Sequence, residues 1–242
     1  MTIRFSDFEK IVPPSADKPE AGLDAVFPFS GPESATGPAT GGLYRRAGKR
    51  LLDILLVTLS APFVLPLVAI LALIVARDGG NPFYAQPRVG RGGRIFRMWK
   101  LRSMVVDADA RMQAHLAADP DARTEWDLYQ KLADDPRITP FGGFLRRASL
   151  DELPQLWNVL KGDMSLVGPR PMMPCQKPLY PGLAYYRIRP GITGYWQIAG
   201  RDRTTFATRA RFDAAYEAEL SLPTDAAVLT RTVGVVLRCT GR

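Results

Sequence analysis

The longest apolar run of the chain covers residues 51–76 and contains a single charged residue, Asp53. Its 26 residues exceed the ~20 that a helix needs to cross the hydrocarbon core of a bilayer. The simplest interpretation is therefore one transmembrane helix. Pro62 and Pro66 lie in the middle of the run, and an interior proline removes a helix hydrogen bond at a cost of ~3 kcal/mol. A bend at these prolines would turn the run into a re-entrant helix that enters and leaves the membrane by the same face.

The charges that flank this apolar run leave both paths open. Bases precede the run and also follow it, and Asp78 is the only acid between them on either flank. The bases are Arg45, Arg46, Lys49, Arg50, Arg77, Arg88, Arg91, Arg94, Arg97, Lys100 and Arg102. A spanning helix normally keeps its bases on the cytoplasmic side. Bases at both ends favour a re-entrant segment, whereas the length of the run favours a span, and the residues alone do not decide between the two.

The rest of the chain predicts a small, mostly helical α+β domain over residues 78–242. Residues 83–84, a glycine turn at 90–93 and residues 94–101 predict a β-hairpin. Helical periodicity predicts helices at residues 105–118, 122–132, 153–160, 206–220 and 225–237. Loops rich in proline and glycine separate these elements.

The first 44 residues differ in composition from the remainder. They hold six acids, three bases, six prolines and five glycines, and they show no sustained period. The net charge of these residues is −3. Because the whole chain has a net charge of +8, residues 45–242 have a net charge of +11. This composition predicts a disordered tail, and no apolar run near Met1 indicates a signal peptide.

Composition excludes several function classes. The chain of 242 residues has two cysteines and one histidine. These numbers exclude a disulfide-dense scaffold, a CxxC zinc site and an HExxH metalloprotease. The net charge of +8 would suit a nucleic-acid binder, but no nucleic-acid motif is present and the bases crowd the apolar run. We therefore expect no nucleic-acid partner.

The adjacent carboxylates Asp151 and Glu152 are the first candidates for chemistry. One explanation is structural, because Ser149-x-x-Glu152 has the spacing of a helix capping box and Asp151 itself suits an N-cap. On spacing alone, capping is the more frequent explanation. The functional alternative uses the same geometry, because a helix N-terminus receives phosphate and would hold an aspartate ionised and nucleophilic.

Many bases accompany these carboxylates. Arg146 precedes the pair and Arg170 follows it in a Gly-Pro-Arg-Pro turn, and Lys100, Arg102 and Arg201 add further positive charge. Guanidinium groups match the oxygens of a diphosphate. Most of these side chains taken singly would be solvated surface charges. Their clustering beside a carboxylate pair and a membrane segment favours a phosphate site.

Several motifs in this order resemble the monotopic phosphoglycosyl transferases, also called bacterial sugar transferases. The resemblance covers about residues 45–242 and is most specific over residues 149–171. It rests on Lys49-Arg50-x-x-Asp53, Gln86-x-Arg88-Val89-Gly90, Lys100-Leu101-Arg102-Ser103-Met104, Asp135-Pro136-Arg137-Ile138-Thr139, Leu145-Arg146, Ser149 to Leu156, Asn158 to Pro171, Arg189-Pro190-Gly191-Ile192-Thr193-Gly194, Gln197 and Gly200-Arg201.

The resemblance implies a reaction and assigns roles. Such enzymes transfer a sugar 1-phosphate from a UDP-sugar to undecaprenyl phosphate, release UMP and require Mg²⁺. Asp151 would be the covalent nucleophile and Glu152 would help to hold Mg²⁺. Phosphate contacts would come from Lys100, Arg102, Arg146, Arg170 and Arg201.

The resemblance also implies a location. Residues 45–77 would form a re-entrant helix bent at Pro62 and Pro66. They would anchor a cytoplasmic domain to the lipids of the bacterial inner membrane. The sequence departs from the family at the bend, where Leu65-Pro66 takes the place of Ser-Pro and Ser60 lies one turn earlier. We expect an enzyme that initiates exopolysaccharide or related glycan assembly. The alternative is an idle, membrane-tethered scaffold, and the sugar and a homodimer are left open.

Overall fold

The apolar run forms one long helix. The computed structural model describes residues 42–129, 132–199 and 206–237, so most of the predicted N-terminal tail lies outside the described residues. Helix α1 (Lys49–Val75) follows a π-helical turn, Tyr44–Gly48. Within the described ranges it is the one helix long and apolar enough to cross a membrane. Its middle is exposed: no residue from 58 to 70 is buried, and Phe63 is 81% accessible.

The bend expected at the two prolines of this run contains no loop. Helix α1 continues through Pro62 and Pro66 without an interruption of its helical assignment. Ser60 Oγ donates a hydrogen bond to the carbonyl of Val57 at 2.9 Å, one residue before the Thr58 carbonyl that Pro62 leaves without a donor. Helix α1 is thus continuous through both prolines, and the re-entrant path expected for this run stays a prediction.

Both ends of α1 pack on the same body. Near its beginning, the guanidinium of Arg50 donates to the carbonyls of Val159 and Leu160. The carboxylate of Asp53 accepts hydrogen bonds from Ser165 Oγ at 3.0 Å and from the Leu166 amide at 2.9 Å. The last two turns of α1 join a different apolar cluster, which comprises Leu71, Ala72, Val75, Leu101 and Leu145.

The predicted β-hairpin is confirmed. Strands β1 (Phe83–Val89) and β2 (Ile95–Leu101) pair antiparallel, with Phe83 opposite Leu101 and Val89 opposite Ile95. The turn between them contains Gly92 and Gly93 at φ values of 67° and 80°, a region that glycine adopts without a steric penalty. Buried side chains of β2 contact both ends of α1, because Phe96 and Met98 pack with Val57 whereas Leu101 packs with Leu71.

The remaining elements surround this core of β-hairpin and apolar helix α1. In chain order they are α2 (Ala108–Ala118), α3 (Pro120–Tyr129), α4 (Pro140–Arg147), α5 (Gln155–Lys161), β3 (Ser165–Val167), α6 (Ala184–Arg187), β4 (Gly191–Thr193), α7 (Tyr195–Ile198), α8 (Arg209–Glu219) and α9 (Leu222–Leu237). Strands β3 and β4 form a two-stranded parallel ladder. All five predicted helices are present with shifted ends, and the mostly helical α+β class is confirmed. Helix α4 and the short ladder were not predicted.

Helix α4 forms despite two adjacent glycines. Thr139 caps it by accepting a hydrogen bond from the Gly142 amide at 2.9 Å, and Pro140 occupies the first turn, where a missing N–H costs nothing. Gly142 lies against the chain that leaves β2: an added Cβ there would come within 1.9 Å of the Ser103 carbonyl oxygen. The glycine therefore permits a close approach between α4 and the end of β2.

This close approach predicts opposite effects for two neighbouring substitutions. Gly142→Ala must push α4 away from the backbone at Ser103 and should cost about 3 kcal/mol of unfolding free energy. Gly143→Ala meets nothing nearer than 3.5 Å, so the higher helix propensity of alanine should stabilise the protein by up to about 1 kcal/mol. Thermal unfolding of both variants in detergent checks this. Equal midpoints would show that α4 does not depend on the contact.

Candidate active site

A short turn between α4 and α5 holds the carboxylate pair. Leu150–Glu152 form one 3₁₀ turn, which follows Ser149 at a left-handed φ of 57°. The side chain of Ser149 makes no capping hydrogen bond, and α5 begins only at Gln155. The capping interpretation of the pair is therefore wrong. The turn presents Asp151 and Glu152 toward β2 without using either of them to start the helix.

A lysine ammonium lies between the two carboxylates. Lys100 of β2 places its Nζ 2.8 Å from Glu152 Oε1 and 3.4 Å from Asp151 Oδ2. Asp151 is only 5% exposed, so its charge is largely removed from water. Residues far apart in the chain thus form one compact cluster, as the sequence predicted for Lys100, Asp151 and Glu152.

Two of the predicted arginines join this cluster from opposite sides. Arg146, on the last turn of α4, stabilises the ionised form of Asp151 electrostatically, and its Nε donates to Ser103 Oγ at 2.9 Å. Arg170 places Nη2 3.8 Å from Glu152 Oε1. The pair of carboxylates is therefore flanked by three cations.

Burial dominates the titration of Asp151. Removal from water raises the pKa of the Asp151 carboxyl and the neighbouring charge of Glu152 adds to this, while Lys100 and Arg146 oppose it. From the sequence we expected a lowered pKa for Asp151, because a helix N-terminus would hold this aspartate ionised. The structure corrects that expectation, because α5 starts four residues later and the nearby compensation comes from side-chain cations. An ionised Asp151 is poorly solvated, which favours its attack on an electrophile.

Arg102 lies outside this cluster. Its guanidinium pairs with Asp78 at 2.5 and 2.7 Å and donates to the carbonyl of Val75 at 3.1 Å. It therefore fastens the end of α1 to the chain after β2. Its predicted contact with phosphate stays a prediction. Arg201 lies outside the described residues.

An open pocket of about 270 Å³ adjoins the carboxylates and brings in an arginine that sequence reasoning did not select. The pocket is lined by Arg88, Met98, Lys100, Glu152, Gln155, Arg170, Pro171, Gly191 and Ile192. Arg88 of β1 donates to Gln86 Oε1 at 2.6 Å and to the Pro171 carbonyl at 3.3 Å. The motif around Arg88 was visible in the sequence, but its approach to Arg170 depends on how the hairpin folds.

A second pocket, of about 240 Å³, lies on the other side of Arg170. Half of its lining residues are aromatic, and the lining comprises Arg170, Met172, Tyr180, Tyr185, Trp196, Phe206, Arg209 and Asp213. The guanidinium of Arg209 lies 4.1 Å from the centre of the Trp196 ring, and that of Arg170 lies 5.7 Å from it. Arg209 is the second functional candidate that was missed. Nothing in the sequence of α8 separates it from a solvated arginine.

The arrangement can carry out phosphoryl chemistry. A buried carboxylate beside three cations suits nucleophilic attack on a phosphorus atom, because the cations neutralise charge on the oxygens of the transferring group. The cluster also lies close to the apolar helix, because α1 packs on β2 and on Leu145 of α4, the elements that carry Lys100 and Arg146.

Comparisons with known proteins agree with this chemistry. Residues 44–239 match the family model described as bacterial sugar transferase. Over 195 residues the chain is 47% identical to the UDP-galactose-lipid carrier transferase of Erwinia amylovora, covering 80% of this chain and 41% of that protein. Over 195 residues it is 46% identical to the undecaprenyl-phosphate galactose phosphotransferase of Salmonella typhimurium, again covering 80% and 41%.

The chain thus spans about two fifths of the length of these two relatives. It corresponds more fully to the exopolysaccharide production protein ExoY of Rhizobium meliloti. The two are 41% identical over 217 residues, which make up 88% of this chain and 94% of that protein.

The second pocket generates a prediction about pH. Burial raises the pKa of Asp213 to about 7, and the Tyr180 hydroxyl donates to its Oδ2 at 2.7 Å. The folded chain binds this proton more tightly than the unfolded chain, so stability should fall as the pH rises from about 4 to about 7. The contribution is worth roughly 4 kcal/mol at most.

Asp213→Asn should remove this part of the pH dependence, which thermal midpoints measured from pH 5 to pH 8 would show. The same substitution at Asp121, an exposed carboxyl of α3, is the control. An unchanged slope in Asp213→Asn would contradict the assignment.

Proposed function

Because the chain belongs to the bacterial sugar transferase family, we propose that it transfers a sugar 1-phosphate from a UDP-sugar to undecaprenyl phosphate and releases UMP. The observation that carries this proposal is the buried carboxylate of Asp151 beside Lys100 and Glu152, in a domain packed on an apolar helix. Two of the relatives named above support the substrate classes, because one is named for UDP-galactose and a lipid carrier and the other for undecaprenyl phosphate and galactose.

In the proposed mechanism Asp151 is a covalent nucleophile. A carboxylate oxygen of Asp151 forms a bond to the phosphorus attached to the sugar. The bond from that phosphorus to the bridging oxygen breaks, and its electron pair leaves with UMP. An oxygen of undecaprenyl phosphate then attacks the same phosphorus and releases the carboxylate. No proton has to move in either step when both attacking oxygens are ionised.

The cations around Asp151 have separate tasks in this mechanism. The ammonium of Lys100 lies 3.4 Å from Asp151 Oδ2, so it can contact an oxygen of any phosphoryl group that Asp151 attacks. Arg146 approaches Asp151 from the side of α4 and is oriented by Ser103. Both positive charges offset the charge that develops in the transition state.

Magnesium fits the carboxylate pair. The described residues hold no group of three or more histidine, cysteine or acidic side chains that would form an all-protein metal site. Mg²⁺ commonly uses only one or two carboxylates together with substrate phosphates, and Glu152 with Asp151 supplies these. We propose that Glu152 helps to hold Mg²⁺ on the donor diphosphate. The ion would supply further neutralisation of phosphate charge.

Helix α1 would follow a re-entrant path into the inner membrane, with the catalytic body on the cytoplasmic face. A straight helix of 27 residues is about 40 Å long, and both of its ends contact β2. If α1 spanned the bilayer, β2 with Arg97 and Lys100 would lie in the hydrocarbon core, where charged side chains are costly. Bending at Pro62 and Pro66 avoids this and leaves the body among the lipid headgroups.

The transferred sugar is proposed to be a hexose, with galactose first because two relatives are named for galactose. UMP release from UDP-galactose, UDP-glucose and their N-acetylated counterparts, each with undecaprenyl phosphate, would compare them. The alternative of an idle scaffold is disfavoured by the assembly of Lys100, Arg146, Asp151 and Glu152 in one place. A scaffold has no need of such a cluster.

Asp151→Asn should lower transfer at least a thousandfold, about 4 kcal/mol of transition-state stabilisation, while the protein remains folded and membrane-bound. The amide keeps the shape of the side chain but is not a nucleophile. Without acceptor, the unmodified protein should release about one UMP per active molecule, and the variant none. Asp121→Asn is the matched control. Near-normal turnover in Asp151→Asn, or UMP release that strictly requires acceptor, would refute the covalent step.

The path of α1 can be tested with single cysteines at the exposed positions Ala47 and Arg77, in a Cys175→Ser, Cys239→Ser background. For a re-entrant helix, both should react with a membrane-impermeant maleimide in inside-out vesicles and neither in intact spheroplasts. A cysteine at Phe63 should resist labelling from both sides, because lipid covers it. Labelling of the two flanking cysteines from opposite faces would establish a true span.

A further inference from the structure

Arg170, which lies 3.8 Å from Glu152, has two further arginines near it. Arg88, Arg170 and Arg209 come from β1, from the turn after β3 and from α8, and Arg170 acts electrostatically on both of the others. Arg170 also lines both pockets. The three side chains therefore form one positive cluster at the junction of the two pockets.

The acids that act on this cluster, Glu152 on Arg88 and Arg170 and Asp213 on Arg209, are fewer than its three arginines. Nε of Arg88 and Nε of Arg209 are buried and, among the described residues, have no hydrogen-bond partner. Burial, followed by the positive charge of Arg170, lowers the pKa of both guanidinium groups to about 10. A buried donor without an acceptor costs about 1–3 kcal/mol, and more when it is charged. An anionic ligand with several oxygens would remove this penalty.

The aromatic side chains hold the guanidinium groups in place. Arg209 packs between Trp196 and Phe206, with distances of 4.1 and 4.8 Å to the two ring centres. Arg170 uses the same Trp196 ring. A guanidinium fixed on an aromatic ring loses little further freedom when it binds an oxyanion, so the site is built before any ligand arrives.

The position of the cluster relative to Asp151 indicates which anion it takes. Lys100 and Arg146 flank Asp151 and would serve the phosphoryl group under attack. Glu152 lies between Lys100, at 2.8 Å, and Arg170, at 3.8 Å. Arg170 thus follows Glu152 in this row of charges, and Arg88 and Arg209 are its neighbours. The second phosphate of a donor diphosphate would lie at this end of the row.

We propose that Arg88, Arg170 and Arg209 bind the phosphate of the leaving nucleoside monophosphate, an inference that rests on the proposed function. When the bond between the two phosphates breaks, the electron pair stays on the bridging oxygen, and the charge on the leaving phosphate rises. The three guanidinium groups neutralise that charge and retain UMP until it departs. Arg88 and Arg209 thereby become substrate-binding residues in addition to those that the sequence predicted.

Direct binding of UMP to the full-length protein in detergent tests this, since binding needs no turnover. Arg209→Met keeps the length of the side chain and its contact with Trp196 but removes the donors, and it should weaken UMP binding at least tenfold. Arg209→Lys keeps the charge but loses the fork and should be intermediate. Arg111→Met, at an exposed arginine of α2, changes the net charge equally and should stay within twofold of the unmodified protein.

Thermal unfolding without ligand provides the control for folding. Replacing a buried charge by an apolar side chain of similar size should leave the midpoint unchanged or raise it, whereas the UMP-induced increase in the midpoint should be lost. If Arg209→Met fails to fold, Arg209→Lys carries the test. UMP affinity within twofold of the unmodified protein in a folded Arg209 variant would overturn the proposal.

Different experimental results would refute the nucleotide site and the proposed function. A protein that shows Arg209-dependent UMP binding but no sugar-phosphate transfer would refute the function and retain the nucleotide site. A protein that transfers sugar phosphate but binds UMP independently of Arg209 would refute only the site.

Discussion

A lysine ammonium between two adjacent carboxylates is the interaction on which the arrangement of this domain depends. Lys100 reaches Glu152 at 2.8 Å and Asp151 at 3.4 Å, and Asp151 is almost completely buried. Two neighbouring carboxylates, one buried and one partly buried, repel each other and lose hydration, so they require nearby cations. The β-hairpin supplies Lys100, α4 supplies Arg146, and the tight turn between α4 and α5 brings the carboxylates to them. The burial of Asp151 and its neighbouring cations are the features on which its proposed role as a nucleophile rests.

Helix α1 and the charged cluster are attached to the same strand, β2. Val57 and Leu71 of α1 pack on opposite ends of β2, the strand that carries Lys100. Arg102, two residues after Lys100, is clamped to Asp78 just after α1. These contacts link the orientation of α1 to that of β2. They therefore fix the position of the charged cluster along the axis of the apolar helix. In the proposed transfer from a dissolved nucleotide sugar to a lipid phosphate, this coupling would keep the reacting groups at the membrane surface.

Local signals predicted the parts of the structure that depend on neighbouring residues. The glycine turn at 90–93 indicated the hairpin, and the motifs around Lys100, Arg146, Asp151 and Arg170 indicated the site. Features that depend on tertiary packing were missed. Helix α4 contains Gly142 because the Ser103 carbonyl lies against it, and Arg102 meets Asp78 across 24 residues of sequence. The raised pKa of Asp151 arises from burial, and Arg209 became a candidate only when folding placed it beside Trp196 and Arg170.

The most direct test of the account is the mass of the protein after exposure to a UDP-hexose and Mg²⁺ in the absence of undecaprenyl phosphate. The account predicts a mass increase equal to one hexose phosphate, located by peptide mapping on Asp151, and its disappearance when undecaprenyl phosphate is added. An unmodified protein that nonetheless transfers sugar phosphate once acceptor is present, or an adduct on another residue, would contradict the central role of this carboxylate.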